Sequence, residues 1–270
     1  MIIDFHAHIF PDAIAAKTIA HLEAKGEAKA FATGDLQGLL ASMKEGSIDY
    51  AVILPVVTKP SQFDSVNRFA AQLNARQDLC SFGGIHPDCE DIEEKLDTIK
   101  ALGLKGIKLH PDYQETDFDD PKYMRILKGC KQRGLYVSVH AGFDPGYPQR
   151  IRCTPEKAAA VIKELHKGEE NPKPFVILAH LGANEQYDET EKHLVGLPVY
   201  FDLAVILDVV PKEQLLRIIA NHGYEKILFA TDTPWHDQKA DKAYFEALAL
   251  DDTAKEAIAH GNAERILYGV

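Results

Sequence analysis

Short runs rich in β-branched and aromatic residues recur along the chain, and the intervals between them carry apolar residues every three or four positions. The runs are Ile2 to His6, Tyr50 to Pro55, Cys80 to His86, Gly106 to His110, Leu135 to His140, Phe175 to His180, Val199 to Leu203 and Lys226 to Thr231. Their length and composition predict strands, while the spacing in Asp91 to Leu102, Tyr123 to Arg133, Pro155 to His166 and Pro211 to His222 predicts amphipathic helices. A strand-then-helix alternation implies a parallel sheet, and eight such units close most naturally into a (β/α)8 TIM barrel. An open doubly wound sheet is the competing architecture. It usually carries a glycine-rich turn after its first strand, where this chain runs into His6-Ala7-His8.

With 270 residues, 46% of them hydrophobic, the chain can bury a full core, and residues 1–270 are read as a single α/β domain. Two connections are longer than the rest, Asp112 to Pro121 and Gly142 to Pro155. Both follow the C-terminal end of a strand, the face on which barrel enzymes build their sites, so they are candidate substrate loops, with surface decoration as the plainer reading.

Charge narrows the partners. A net charge of -11 repels phosphate backbones, so nucleic acid is not expected. The adjacent pair Arg150 and Arg152 suits a small anion better. The four cysteines, Cys80, Cys89, Cys130 and Cys153, form no CxxC pair and read as buried thiols. No apolar run is long enough to cross a membrane and the chain opens without a signal-like segment, which makes a cytoplasmic location and no membrane partner the expectation. A homo-oligomer is compatible with the sequence, which fixes no oligomeric state.

The histidines carry the chemical signal. Five predicted strands end on or beside one: His6 with His8, His86, His110, His140 and His180. A solitary buried histidine is usually a satisfied hydrogen-bonding group, but several converging on one barrel rim suggest a shared task. In His6-Ala7-His8 the two-residue period of a strand puts both rings on one face, where both can reach one ion. Taken alone, the pair is equally well read as two polar residues at a strand end.

Four phrases supply context: Gly106-Ile107-Lys108-Leu109-His110-Pro111, His140-Ala141-Gly142, Ala179-His180-Leu181-Gly182 and Thr231-Asp232-Thr233-Pro234-Trp235. With HxH on the first strand, the chain resembles the amidohydrolase superfamily of metal-dependent barrel hydrolases, in the branch called amidohydrolase 2. That branch mixes hydrolases with nonoxidative decarboxylases. The resemblance implies that His6, His8, His140 and Asp232 hold a divalent metal, one ion rather than two. Zinc is expected first, with manganese or iron as alternatives, because a nitrogen and oxygen donor set discriminates weakly.

The resemblance also assigns roles. His180 becomes an acid/base or carbonyl-polarising residue, or a ligand if a second ion is present. Lys108 stands where relatives with two metals carry a carboxylated lysine; in the single-metal case it contacts substrate unmodified. His110, on the same strand face, and Arg150, in the loop after the fifth strand, are candidate substrate contacts. His86, Trp235 and Tyr147 are further candidates for the pocket wall. The expected chemistry is attack of metal-activated water on an amide, ester or lactone of a small molecule, with Asp232 carrying the proton. Decarboxylation of an aromatic or conjugated acid is the alternative, favoured by an aromatic-lined pocket with an arginine at the carboxylate. Metal-dependent deoxyribonucleases also begin with HxH, but they carry a glutamate where this chain has Lys108. A metal-free binding protein would leave the rim histidines idle.

Overall fold

The computed structural model describes residues 1–269. Its strands are β1 (Ile3–Ala7), β2 (Tyr50–Ile53), β3 (Leu79–Ser81), β4 (Gly83–Gly84), β5 (Gly106–Leu109), β6 (Tyr136–Val139), β7 (Val176–Leu178), β8 (Tyr200–Asp202) and β9 (Ile227–Leu228), and every pairing is parallel. β3 and β4 are two pieces of one predicted strand, interrupted at Phe82, whose amide still donates to Ile53 O at 2.9 Å. The series closes on itself where the segment after β9 meets β1. Phe5 N donates to Phe229 O (2.9 Å), Asp232 N to His6 O (2.8 Å) and His8 N to Thr233 O (2.7 Å). The alternation predicted from sequence is therefore realised as a (β/α)8 barrel.

Helices α1 (Asp12–Gly26) and α2 (Leu36–Gly46) both precede β2. Then come α3 (Phe63–Leu73), α4 (Ile92–Ala101), α5 (Pro121–Arg133), α6 (Pro155–Leu165), α7 (Tyr187–His193) and α8 (Lys212–His222), with α9 (Gln238–Glu246), α10 (Asp252–Glu256) and α11 (Asn262–Tyr268) after β9. The starts of α5 and α6 are written in the sequence. Asp120 accepts the Lys122 amide at 2.8 Å and Thr154 accepts the Lys157 amide at 3.3 Å, each just ahead of a proline suited to a first helical position. Among the described residues no helix is long and apolar enough to cross a membrane.

Alternation along the strands splits their side chains between two environments. Ile53, Ile107, Val139, Leu178 and Phe201 face the layer packed beneath the helices. Val52, Leu54, Phe82, Ile177, Leu228 and Ala230 form a separate apolar cluster inside the barrel, sealed by Ala263, Ile266 and Leu267 of α11. Towards the C-terminal strand ends the interior turns polar, with His6, Lys108, Ser138, His140 and Asp202 all buried. β1 serves both layers because its register slips between Asp4 and Ala7. Such a bulge re-aims neighbouring side chains. Here Phe5 meets the Phe82 ring edge-on at 5.7 Å while His6, the next residue, reaches Lys108.

Candidate metal centre

His6 sits at the end of β1 with its tautomer fixed from behind. Nδ1 lies 2.9 Å from Asp202 Oδ2, and a carboxylate there can only accept, so the proton is on Nδ1 and Nε2 keeps its lone pair. That Nε2 lies 3.1 Å from His8 Nε2 and 3.3 Å from Asp232 Oδ1, and His8 Nε2 is 3.0 Å from the same oxygen. One proton on His8 can serve a single neighbour. Asp232 Oδ1 is buried and lacks a well-aligned donor. Three donor atoms so placed match a shared cation, and a carboxylate behind a ligating histidine is the usual support for one. Asp232 and His180 both adopt left-handed backbone, with φ of 70° and 59°, a conformation that non-glycine residues rarely hold without a functional reason.

Lys108, on β5, joins this cluster from the barrel interior: Nζ is 3.1 Å from His6 Nε2 and 3.4 Å from Ser138 Oγ. Burial pushes its ammonium down to about 8, against the pull of Asp202 and Asp232. Burial also drives the His6, His110 and His140 rings well below the ordinary histidine range, so at neutral pH they are uncharged and able to ligate. Burial works to raise Asp232, but the rings of His6, His8 and His180 hold it well below the usual carboxylate range.

The remaining histidines stand one step away. The His180 ring stacks on His6 with centroids 5.4 Å apart. Its backbone amide donates to Asp202 Oδ1 at 2.9 Å and its Nδ1 to Ala204 O at 3.1 Å, leaving Nε2 to face His140 Nδ1 at 3.0 Å. His140 thus borders the cluster without belonging to its tightest triad, and its Nε2 is buried without a partner, 4.0 Å from Asp112 and 3.9 Å from Asp144. His110 stacks flat on His140 (4.1 Å between centroids, 5° between planes) and its Nε2 is 3.3 Å from Asp144 Oδ2. Burial, reinforced by Asp144, raises Asp112 to about 6.

These groups open into a cavity of about 1270 Å³ at the C-terminal strand ends. His6, His8, Lys108, His110, His140, His180 and Asp232 all line it, as do His86, Tyr147 and Trp235. Both loops singled out for their length contribute: Tyr113 comes from the first, Phe143, Asp144 and Tyr147 from the second. Arg150 corrects the expectation of a substrate clamp. Its side chain is 59% exposed and pairs with Asp117, and it is not among the described lining residues; Arg152 also turns to Asp117. A nearby acid spends both guanidinium groups. Sequence reading also missed Asp202, Asp112 and Asp144. The two loop acids lay inside segments already marked as substrate loops, and Asp202 ends an apolar strand.

A family model described as amidohydrolase matches residues 3–269. The chain belongs to the amidohydrolase family, in the branch called amidohydrolase 2. No curated protein matches it in sequence. Solved structures share its fold at low identity. One is a 5-carboxyvanillate decarboxylase from Sphingomonas paucimobilis (TM-score 0.69, 15% identity, 98% of each chain covered). Another is a dihydroxybenzoic acid decarboxylase from Polaromonas sp. JS666 with bound manganese and the inhibitor 2-nitroresorcinol (TM-score 0.69, 15% identity, 98% of this chain and 96% of that one). A third, from Pseudomonas putida, is designated a 2-pyrone-4,6-dicarboxylic acid hydrolase (TM-score 0.67, 17% identity, 98% and 97%). Family membership makes the chain an enzyme of the hydrolase or decarboxylase type and of a metal-dependent family.

Proposed function

We propose that this amidohydrolase is a metal-dependent hydrolase acting on a lactone, ester or amide of a small, planar, conjugated acid, with one ion held by His6, His8, His140 and Asp232. The observation that supports it best is the meeting of His6 Nε2, His8 Nε2 and Asp232 Oδ1 within 3.0 to 3.3 Å, around a buried carboxylate oxygen with no aligned donor. Zinc suits these donors first, and manganese second. When bound, the ion acidifies water and polarises a carbonyl group.

The protein groups supply the rest. Asp232, ionised at neutral pH, takes the water proton as the water oxygen bonds to the acyl carbon, and returns it to the leaving oxygen or nitrogen as that bond breaks. His180 offers a lone pair at Nε2, since Nδ1–H is committed to Ala204 O; this suits accepting a proton or ligating. Lys108 holds its amine beside His6, where an N–H of the uncharged amine can donate to a developing oxyanion. Tyr113, Phe143, Tyr147 and Trp235 give the flat apolar walls that a conjugated substrate needs.

The same walls favour decarboxylation of an aromatic acid as a second reading, although no arginine stands among the described lining residues to hold the carboxylate. Metal content and isotope labelling separate the readings. Protein purified without chelator is expected to carry about one zinc or manganese per chain, lost in His8→Ala and in Asp232→Asn. Turnover in ¹⁸O water that labels the product carboxylate means hydrolysis. Release of carbon dioxide with solvent deuterium on the product carbon means decarboxylation. Full metal content in both variants would overturn the ligand assignment.

A further inference from the structure

The cations around the cavity bear on which substrate it takes. Four lysines line it. Lys108 is buried in the ligand cluster, Lys122 is held by Asp88 at 2.7 Å, and Lys59 is exposed at the mouth. Lys25, in the last turn of α1, differs from all three. It is half-buried, has no carboxylate partner among the described residues, and is held by aromatic faces instead. Nζ lies 3.4 Å from the Tyr147 ring centroid and 4.9 Å from that of Tyr113. The two rings meet edge to face at 5.0 Å, one from each long loop. A cation over ring faces is oriented and partly desolvated without being neutralised, so its charge remains available to an incoming anion.

The wall continues inward. Tyr113 packs edge-on against His110 with centroids 4.4 Å apart, and His110 stacks on His140 at 4.1 Å. An unpaired cation therefore stands at the outer end of an aromatic wall that runs through Tyr113 and His110 to His140, which borders the candidate metal centre. We propose that Lys25 binds a carboxylate on the end of the substrate remote from the reacting group, which makes the substrate class a planar conjugated acid with its reacting group and a carboxylate at opposite ends. The assignment rests on the metal-dependent reading of the same cavity. It replaces the arginine clamp that the sequence suggested with a lysine from the loop-proximal end of the first helix.

The test measures binding of matched acids to metal-loaded protein by calorimetry: terephthalate against benzoate, and biphenyl dicarboxylate against the biphenyl monocarboxylate. At least one diacid is expected to bind about tenfold or more tightly than its monoacid, the worth of one charge-assisted contact. Lys25→Met and Lys25→Gln should each abolish that advantage, and Lys25→Arg should keep it. Diacids no tighter than their monoacids, or an advantage that survives Lys25→Met, would overturn the proposal. The metal reading is scored separately by metal content in wild type and His8→Ala: full content in the variant overturns that ligand assignment, whereas loss of the diacid advantage in Lys25→Met reports on Lys25.

Discussion

Asp202 links two histidines of the site through one carboxylate. Oδ2 fixes the Nδ1 proton of His6, and Oδ1 accepts the backbone amides of His180 at 2.9 Å and Ala204 at 3.2 Å. It sets which nitrogen of His6 faces His8 and Asp232 and holds His180 in its left-handed turn. Removing the charge in Asp202→Asn is expected to weaken metal affinity about 10- to 100-fold, the usual cost of losing such a support. Competition with a chromogenic chelator measures it, and an affinity equal to wild type would show that His6 needs no carboxylate behind it. At this scale the sequence was partly legible. His6, His8 and Asp232 announced themselves by strand-end spacing and by family phrases, and they do meet. Asp202 did not, because an acid closing an apolar strand reads as a solvated end until its cross-barrel partner 196 positions away is known. Arg150 misled for the same reason: its acid, Asp117, lies 33 positions earlier, and nothing local pairs them.

Elements were more legible than residues, since periodicity is a local property. Four helices and seven of the eight predicted strands appear as single elements within a few residues of the predicted bounds. The exceptions have physical causes. The third strand breaks at Phe82, which turns inward against Phe5, and β9 is short because the Phe229 amide donates to Ile258 O in the C-terminal helical segment rather than to a neighbouring strand. The loop after β6 shows how an element boundary serves the site. Gly142, two residues past His140, has φ of 87° and forms a parallel bridge with Asn184; an added Cβ would lie 2.1 Å from Asn184 N. Asn184 N donates to Ala141 O and Asn184 O accepts from Phe143 N, so the His140 and His180 loops are stitched together there. Gly142→Ala is therefore expected to cost about 2 kcal/mol or more, through backbone strain and a clash with main-chain atoms that cannot yield. Denaturant unfolding reads this directly. A variant of wild-type stability would mean that the two loops part without penalty.

The barrel as a whole brings the candidate ligands together from its two chain-distant ends, since the bonds that close it run between β1, which holds His6 and leads into His8, and the segment carrying Asp232. Closing the barrel and assembling the cation site are thus one event, and a site that exists only in the folded chain must stabilise it when filled. With free zinc at a hundredfold over its dissociation constant, the gain is about 2.7 kcal/mol, or about 5 °C in unfolding midpoint for a chain of this length. His8→Ala should erase the shift; a shift that persists would place the ion elsewhere. Its pH dependence has a definite sign. The Lys108 ammonium, 3.1 Å from His6 Nε2, repels a cation, and binding must release its proton wherever that proton is still held. Since burial pushes Lys108 down to about 8, affinity should climb by up to about tenfold per pH unit from neutral to that point and then level off. His6, His110 and His140, lowered by burial, have no proton left to lose in that range and add no slope. Lys108→Met is expected to remove the climb while raising affinity at pH near 7. If the climb survives in that variant, the displaced proton belongs to another group, and Lys108 is a spectator to metal binding.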